Sequence, residues 1–259
     1  MSKGMGAAHL VREDLGCTEA EWQARVDCAA LYRLVAMYGW DDLVFTHVSA
    51  RVPGEDEHFL INPYGLFFDE ITASCLLKID IDGNIVGQTR GRVNRQGFLI
   101  HSTVHRARSD ARFVMHLHTD SSSAVSAQRC GLLPITQTAM TLFADLAYHD
   151  YEGVDFIEEE RQRLTNNLGT KHTMLLRSHG LLTLGTTAAA AFGRTHALER
   201  ACRMQIAAQG GGELIHVGSD IVAGVGRESR YAEDASHLEA LIWPGLLRRL
   251  ASRSPGFDT

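Results

Sequence analysis

The sequence predicts an α/β protein in which helices cover a mixed or antiparallel sheet. Three observations carry that expectation: short apolar runs of strand length alternate irregularly with helical stretches, one pair of runs is joined by a tight turn, and no G-x-G-x-x-G or Walker A run opens a doubly wound sheet.

Thr18-Glu19-Ala20-Glu21 has the spacing of a capping box, and the apolar positions of EWQARVDCAALYRLVAMYGW recur at helical intervals, so a first helix is expected over residues 19–38. LVFTHVSARV and HFLIN then read as strands, and CLLKIDIDGNIVG as a hairpin turning at Asp82-Gly83-Asn84. GFLIHSTVHRARS is helical in pattern, FVMHLH is a strand, and the Thr-Asp-Ser cluster of TDSSSAVSAQRCG suits the cap of another helix. TMLLRSHGLLTLG is β-rich and broken at His179-Gly180, and TAAAAFGRTHALERACRMQIAAQ is a strong helix ended by three glycines. AEDASHLEALIWPGLLRRLASR is helical, with Pro244 as an interruption or kink. With no linker-like stretch, the expected organisation is an N-terminal arm over 1–18, one domain over 19–253 and a C-terminal tail over 254–259.

The composition narrows the partners. A formal net charge of -6, without long Lys/Arg runs, leaves no electrostatic footprint for nucleic acid or an anionic membrane surface. No segment approaches the roughly 20 apolar residues of a membrane span, and MSKGMGAAHLVRED lacks the apolar centre of a signal peptide. Five cysteines without a C-x-x-C pair argue against a disulfide framework and a zinc knuckle, so a reducing cytoplasm is the expected location.

Chemistry concentrates in FVMHLHTD. Strand side chains alternate between faces, so His116 and His118 share one face with Val114 while Phe113, Met115 and Leu117 share the other. Neutral imidazole is a common metal ligand, and the pair alone fits either half of a metal site or a satisfied core histidine beside a rim histidine. A third histidine, His179 in RSHGLL, ends the apolar run TMLL, and Gly180 after it permits a turn or a close approach.

With the H-x-H strand and the later H-G-L, the chain resembles the class II aldolase/adducin domain family. The likeness extends over FTHVSARVPGEDEHFLINPYGLFFDEITASCLLKIDIDGNIV, AVSAQRCGLLPITQTAM, LAYHDYEGV and LERACRMQIAA, about residues 20–215, and is nearer the adducin-type branch than the sugar-phosphate aldolases. The resemblance implies a three-layer α/β/α domain with a mostly antiparallel central sheet. It also implies a homotetramer with active sites at subunit interfaces, and one divalent metal ion per subunit (Zn, Mn or Fe) held by His116, His118 and His179. Three imidazoles leave positions open for a small-molecule substrate, whose carbonyl such an ion could polarise.

The chain departs from the aldolase pattern elsewhere. In the sugar-phosphate enzymes a glutamate nineteen residues before the first metal histidine ligates the metal and serves as acid/base; here that position is Gly97. The two serines before it, which help to bind phosphate there, read Arg95-Gln96, and the proton-donating tyrosine is replaced near Gln137-Thr138. An acid/base would then come from elsewhere. His101, four residues after Gly97 and one helical turn along, is the candidate, although with His105 it could equally form a polar stripe or a competing H-x-x-x-H pair. Arg95 and Gln96 could bind a substrate carboxylate or phosphate. Tyr148 and Tyr151 in LAYHDYEG could line a substrate pocket across an interface. Glu70 is read as structural, bonding loop amides, and Arg194, Arg200 and Arg203 as solvent-facing or intersubunit salt-bridge residues.

The leading functional expectation is a metal-dependent carbon–carbon lyase, an aldolase or decarboxylase, acting on a small oxo- or hydroxy-carboxylate without phosphate. A three-histidine non-heme iron oxygenase is the first alternative, because imidazole suits iron as well as zinc or manganese. A non-catalytic adducin-like scaffold is the second.

Overall fold

The computed structural model describes residues 12–88, 91–153, 158–228 and 237–259, without the side chains of residues 96, 227 and 228. Residues 1–11 of the expected arm and the first part of the last expected helix lie outside them. Among the described residues no helix is long and apolar enough to cross a membrane.

In chain order the elements are α1 (Arg12–Leu15), α2 (Glu19–Tyr38), β1 (His47–Arg51), β2 (His58–Ile61), β3 (Leu77–Asp80), α3 (Arg95–Ala107), β4 (Phe113–Leu117), α4 (Asp120–Ser126), α5 (Gln137–Phe143), β5 (Leu146–His149), α6 (Glu158–Leu168), β6 (Thr173–Leu176), β7 (Gly180–Gly185), α7 (Ala188–Gln209), α8 (Ser219–Glu228) and α9 (Trp243–Arg253). The sheet runs β3-β2-β1-β4-β7-β6-β5. Every pairing is antiparallel except β5 with β6.

Side-chain alternation on the central strand β4 builds the layers. Phe113, Met115 and Leu117 enter a core with Leu31 and Val35 of α2, Val125 of α4, Phe192 and Leu198 of α7, and Leu250 of α9. Val114 faces the other way and packs with Ile100 and Val104 of α3 and Leu164 and Leu168 of α6. Helices therefore cover both faces, and burying each such Val, Leu or Phe stabilises by about 1.5–3 kcal/mol. The architecture is the three-layer α/β/α sandwich with a mostly antiparallel sheet.

Local signals act much as the sequence suggests. Thr18 Oγ1 accepts from the Glu21 amide at 3.1 Å and starts α2. The reciprocal half of a capping box is not made, because the Glu21 carboxylate is buried against Arg25 (2.9 Å) and Lys78 (3.0 Å). The turn after β3 is held by the Asp80 carboxylate, which accepts from the amides of Asp82 and Asn84. Pro244 falls in the first turn of α9, and the preceding residues Leu238–Ile242 form a π-turn, so the interruption is a change of helical pitch. Residues 254–259 are tied down: Phe257 is buried, its carbonyl accepts from the Ala73 amide, and the Thr259 carbonyl accepts from Ser74.

Three features differ from the sequence reading. The LAYHDYEG stretch contains a strand, β5, which pairs with β6 at the sheet edge. The LVFTHVSARV run becomes strand only from His47, because Leu43 (φ 52°) and Thr46 (φ 67°) turn the chain through the left-handed region. Arg194, expected at a surface, is buried in α7 and donates to the Leu184 carbonyl at 2.8 Å.

Candidate metal centre

His116 lies on β4, His118 just past its end, and His179 in the β6–β7 turn. β4 and β7 are hydrogen-bonded neighbours, with Leu117 paired to Leu181, so the turn lies beside the end of β4. Gly180 permits the approach: a Cβ there would stand 2.3 Å from the Leu117 carbonyl oxygen and 3.2 Å from His118 Cδ2. Ser178, with φ 54°, adds a left-handed residue to the same turn.

The result is a convergence of three imidazoles whose ligating atoms all lie within 4.8 Å of one another. His118 Nε2 is 3.3 Å from His116 Nε2 and 2.8 Å from His179 Nε2. On His116, Nδ1 donates to the Leu181 carbonyl oxygen at 2.9 Å. On His118, Nδ1 donates to the Asp42 carboxylate at 3.1 Å. Both bonds place the proton on Nδ1 and leave the Nε2 lone pair directed at the cluster, the arrangement that orients metal-ligating histidines. Burial, with His179 and His118 adding to it, holds His116 well below the usual imidazole range, and burial with His118 pushes His179 down to about 4. Such imidazoles are neutral near pH 7, as ligation requires. The residues fit a divalent ion: three oriented nitrogen donors meet where lone pairs would otherwise face one another.

The cluster opens into a cavity of about 290 Å³, at the small end of ligand sites. One side carries Phe45, Thr46, His47 and Gly97, the other His149, Tyr151, Glu160 and Arg177. The turn through Leu43 and Thr46 puts Asp42 on His118 and leads His47 into the cavity. His47 pairs with His116 across β1 and β4 and is 2% exposed. Burial, with His118 secondary, pushes it down to about 3. Across the cavity, burial lowers His149 and raises Glu160, to which Glu152 adds.

Other expected site residues fall elsewhere. His101 is fully buried and does not line the cavity; its Nδ1 bonds Ser49 Oγ at 2.6 Å, and the same hydroxyl bonds His105 Nε2 at 2.8 Å. The spacing to Gly97 correctly puts His101 on the inner face of α3, but one turn on, its ring lies behind His47, 6.1 Å from it between centroids. Arg95 is exposed and off the cavity, since two residues along a helix rotate a side chain by about 200° away from Gly97. The Gln96 side chain lies outside the described residues. Tyr148 is packed beneath the Arg177 guanidinium, 4.3 Å from its ring centre, and its hydroxyl accepts from the Leu132 amide; it does not line the cavity. Tyr151 does, with its ring 6.3 Å from that of His179. Glu70 accepts from the Phe67 amide at 2.7 Å, a loop-stabilising bond. Sequence reasoning passed over Asp42 and His47, and the signal available for the latter was the alternation of HVSAR, which puts His47 with Ser49 and Arg51 on the face opposite the core residues Val48 and Ala50.

Fold and site together define an α/β/α protein with a cluster of three histidines, able to hold a metal ion, at the end of its central strand. The family described as "Class II Aldolase and Adducin N-terminal domain" matches residues 26–206, and the chain belongs to it. A Caulobacter vibrioides protein with a provisional aldolase class 2 name is 50% identical over 247 residues, covering 93% of each chain. Mouse alpha-adducin is 44% identical over 197 residues, which are 75% of this chain and 27% of that protein. The crystal structure of an aldolase II superfamily protein from Pseudomonas syringae superposes with a TM-score of 0.91 at 45% identity, covering 97% of this chain and all of that one.

Proposed function

We propose that the protein is a divalent-metal-dependent carbon–carbon lyase that cleaves or decarboxylates a small, unphosphorylated oxo- or hydroxy-carboxylate. The observation that carries this reading is the convergence of His116, His118 and His179 Nε2 atoms in one cavity, with Leu181 and Asp42 fixing two of the rings. A divalent ion held by His116, His118 and His179 would supply an electrophile for a substrate oxygen. The protein's own groups shape the cavity. Leu164, Leu176 and Ile100 exclude water from its apolar part, while the Arg177 guanidinium, over the Tyr148 ring and donating to the Gln128 carbonyl at 2.7 Å, braces the cavity wall. The absence of serines at 95 and 96, and the exposure of Arg95 away from the cavity, favour a substrate without phosphate. A homotetramer in the cytoplasm, with Tyr151 near a subunit boundary, belongs to the same reading.

The test is metal analysis of purified, tag-free protein by mass spectrometry, comparing wild type with His118→Ala, followed by screening of oxo- and hydroxy-acids for released carbonyl product or carbon dioxide. Near-stoichiometric zinc or manganese, lost in the variant, is expected. Stoichiometric iron with substrate-dependent oxygen consumption would replace the lyase with an oxygenase. The relation to alpha-adducin favours a second reading, a scaffold domain in which the histidines are retained without chemistry. Failure of the wild type to take up any divalent ion after reconstitution would put that reading first.

A further inference from the structure

Of the two carboxylates among the described residues that line the cavity, Asp150 is exposed and Glu160 is 5% exposed. Topology brings Glu160 there. His116 shares the sheet face of Val114, which α3 and α6 cover, and His149 shares the face of Ala147, which packs in the same layer. Glu160 stands one helical turn before Leu164 of that layer, so its side chain is directed at the end of the sheet where the three histidines meet. Among the described residues no group donates a hydrogen bond to its carboxylate, and its ion-pair partner is His149 Nε2 at 3.8 Å. Asn167 Nδ2 donates to His149 Nδ1 at 3.0 Å, so the neutral ring carries its proton on Nε2, facing Glu160. That nitrogen is sealed from solvent while the Glu160 oxygens are not, so the carboxylate is the member of the pair that reaches the cavity. Buried acids are ordinarily hydrogen-bonded, and one left open in a cavity marks the place of a ligand or of a proton in transit.

We propose that Glu160 is the catalytic acid/base of this cavity, taking a proton from the small acid seated against His116, His118 and His179 and returning one to it. This rests on the reading that the three histidines hold a divalent ion. Helix α6 thereby supplies the carboxyl that position 97 lacks. In aldol cleavage the Glu160 carboxylate takes the hydroxyl proton, the carbon bearing that hydroxyl becomes a carbonyl, and the electron pair of the broken carbon–carbon bond stays on the other carbon. The carboxyl then gives its proton to that carbon and ends as it began. The surroundings suit the exchange. Burial raises Glu160, Glu152 adds to the rise and Arg163 opposes it, while burial and Arg163 keep His149 uncharged against Glu152 and Asp150. A carboxyl moved toward neutral pH can both accept and release a proton there.

The experiment uses zinc-loaded full-length protein in deuterium oxide with pyruvate as the probe. Removal of a methyl proton moves the electron pair of that bond into the carbonyl, and return of a deuteron from the exchanged carboxyl labels the methyl group, which proton NMR follows. Wild type should exchange these protons faster than zinc alone, and Glu160→Gln should slow the exchange by at least about 100-fold. Zinc content should match wild type and pyruvate affinity by calorimetry should stay within a factor of about three, because glutamine keeps the size of the side chain. In zinc-free protein with carbon-13-labelled glutamate, the carboxyl signal missing from Glu160→Gln should titrate above the ordinary glutamate value of about 4.3. Unchanged exchange in Glu160→Gln overturns the proposal, as does a signal titrating at or below that value. A wild type that binds zinc but does not bind pyruvate, or binds it without exchange, overturns it too. Lost zinc or lost pyruvate binding in Glu160→Gln also overturns it, by making Glu160 a ligand or a binding residue. A wild type that takes up no zinc fails earlier, at the metal reading itself.

Discussion

Replacing Gly180 by alanine tests how tightly the three-histidine cluster, and the metal binding proposed for it, depends on one close approach. The added Cβ would stand 2.3 Å from the Leu117 carbonyl oxygen, about 1.1 Å inside the 3.4 Å at which ordinary contact begins. The obstacle is backbone within the β4–β7 pairing, so no side chain can rotate away, and either the ladder opens or the His179 turn moves out. Overpacking of this kind costs about 1–3 kcal/mol. At about 2–4 °C per kcal/mol, the reference rate for slightly smaller domains, Tm should fall by about 2–12 °C. Metal affinity should suffer more, because an imidazole must stay within about 0.2 Å of its bonding distance, and a turn displaced by about 1 Å takes His179 beyond that. Zinc affinity should therefore drop at least about tenfold. Differential scanning fluorimetry and competition with a fluorescent chelator measure the two effects. Gly224→Ala in α8 is the control: its Cβ meets nothing within 4 Å, and removing a helical glycine should raise stability by up to about 1 kcal/mol. Wild-type zinc affinity in Gly180→Ala, with a stability change no larger than the control's, would refute the argument.

Asp42→Ala removes the acceptor that orients His118 and should reduce zinc affinity about 10–100-fold in the same competition assay, with Tm almost unchanged because the Asp42 side chain is 42% exposed; equal loss of both would make Asp42 a folding residue instead. Arg25, 1% exposed, joins Glu21 to the carbonyls of Ala73 and Leu76, and Arg25→Ala should cost about 3–5 kcal/mol by thermal or urea unfolding, whereas a loss below about 1 kcal/mol would show that α2 does not depend on this link. His105 is pushed down to about 3 and His101 well below its ordinary value, mainly by burial, so between about pH 6.5 and 3 the unfolded chain binds the more protons. Their contribution is complete above about pH 6.5 and declines on acidification by about 1.4 kcal/mol per pH unit for each group. A His105→Gln variant should show a shallower decline between pH 7 and 5 in urea unfolding, and a slope equal to or steeper than wild type would count against the assignment.

What could be read from the chain was local. The two-residue period of a strand placed His116 and His118 on one face and Phe113, Met115 and Leu117 on the other, and Thr18 marked the start of α2, because alternation and capping depend on neighbours a few positions away. The H-x-H and H-G-L motifs brought in the resemblance from which the α/β/α class and the ligand set followed, and the structure places those three rings together. Local pattern did not carry the edge strand β5, whose Leu-Ala-Tyr-His run is short and half polar and is held by parallel pairing to β6 some 27 residues later. Nor could it separate His101 from His47. Helical periodicity gives the direction in which His101 leaves α3, but which histidine stands between α3 and the cavity depends on the packing of β1 against α3 and on a glycine fifty residues after His47. Contacts across such separations have no repeat in the sequence, so the sequence by itself determined the layers and the three convergent histidines, and only tertiary packing decided which other groups stand around them.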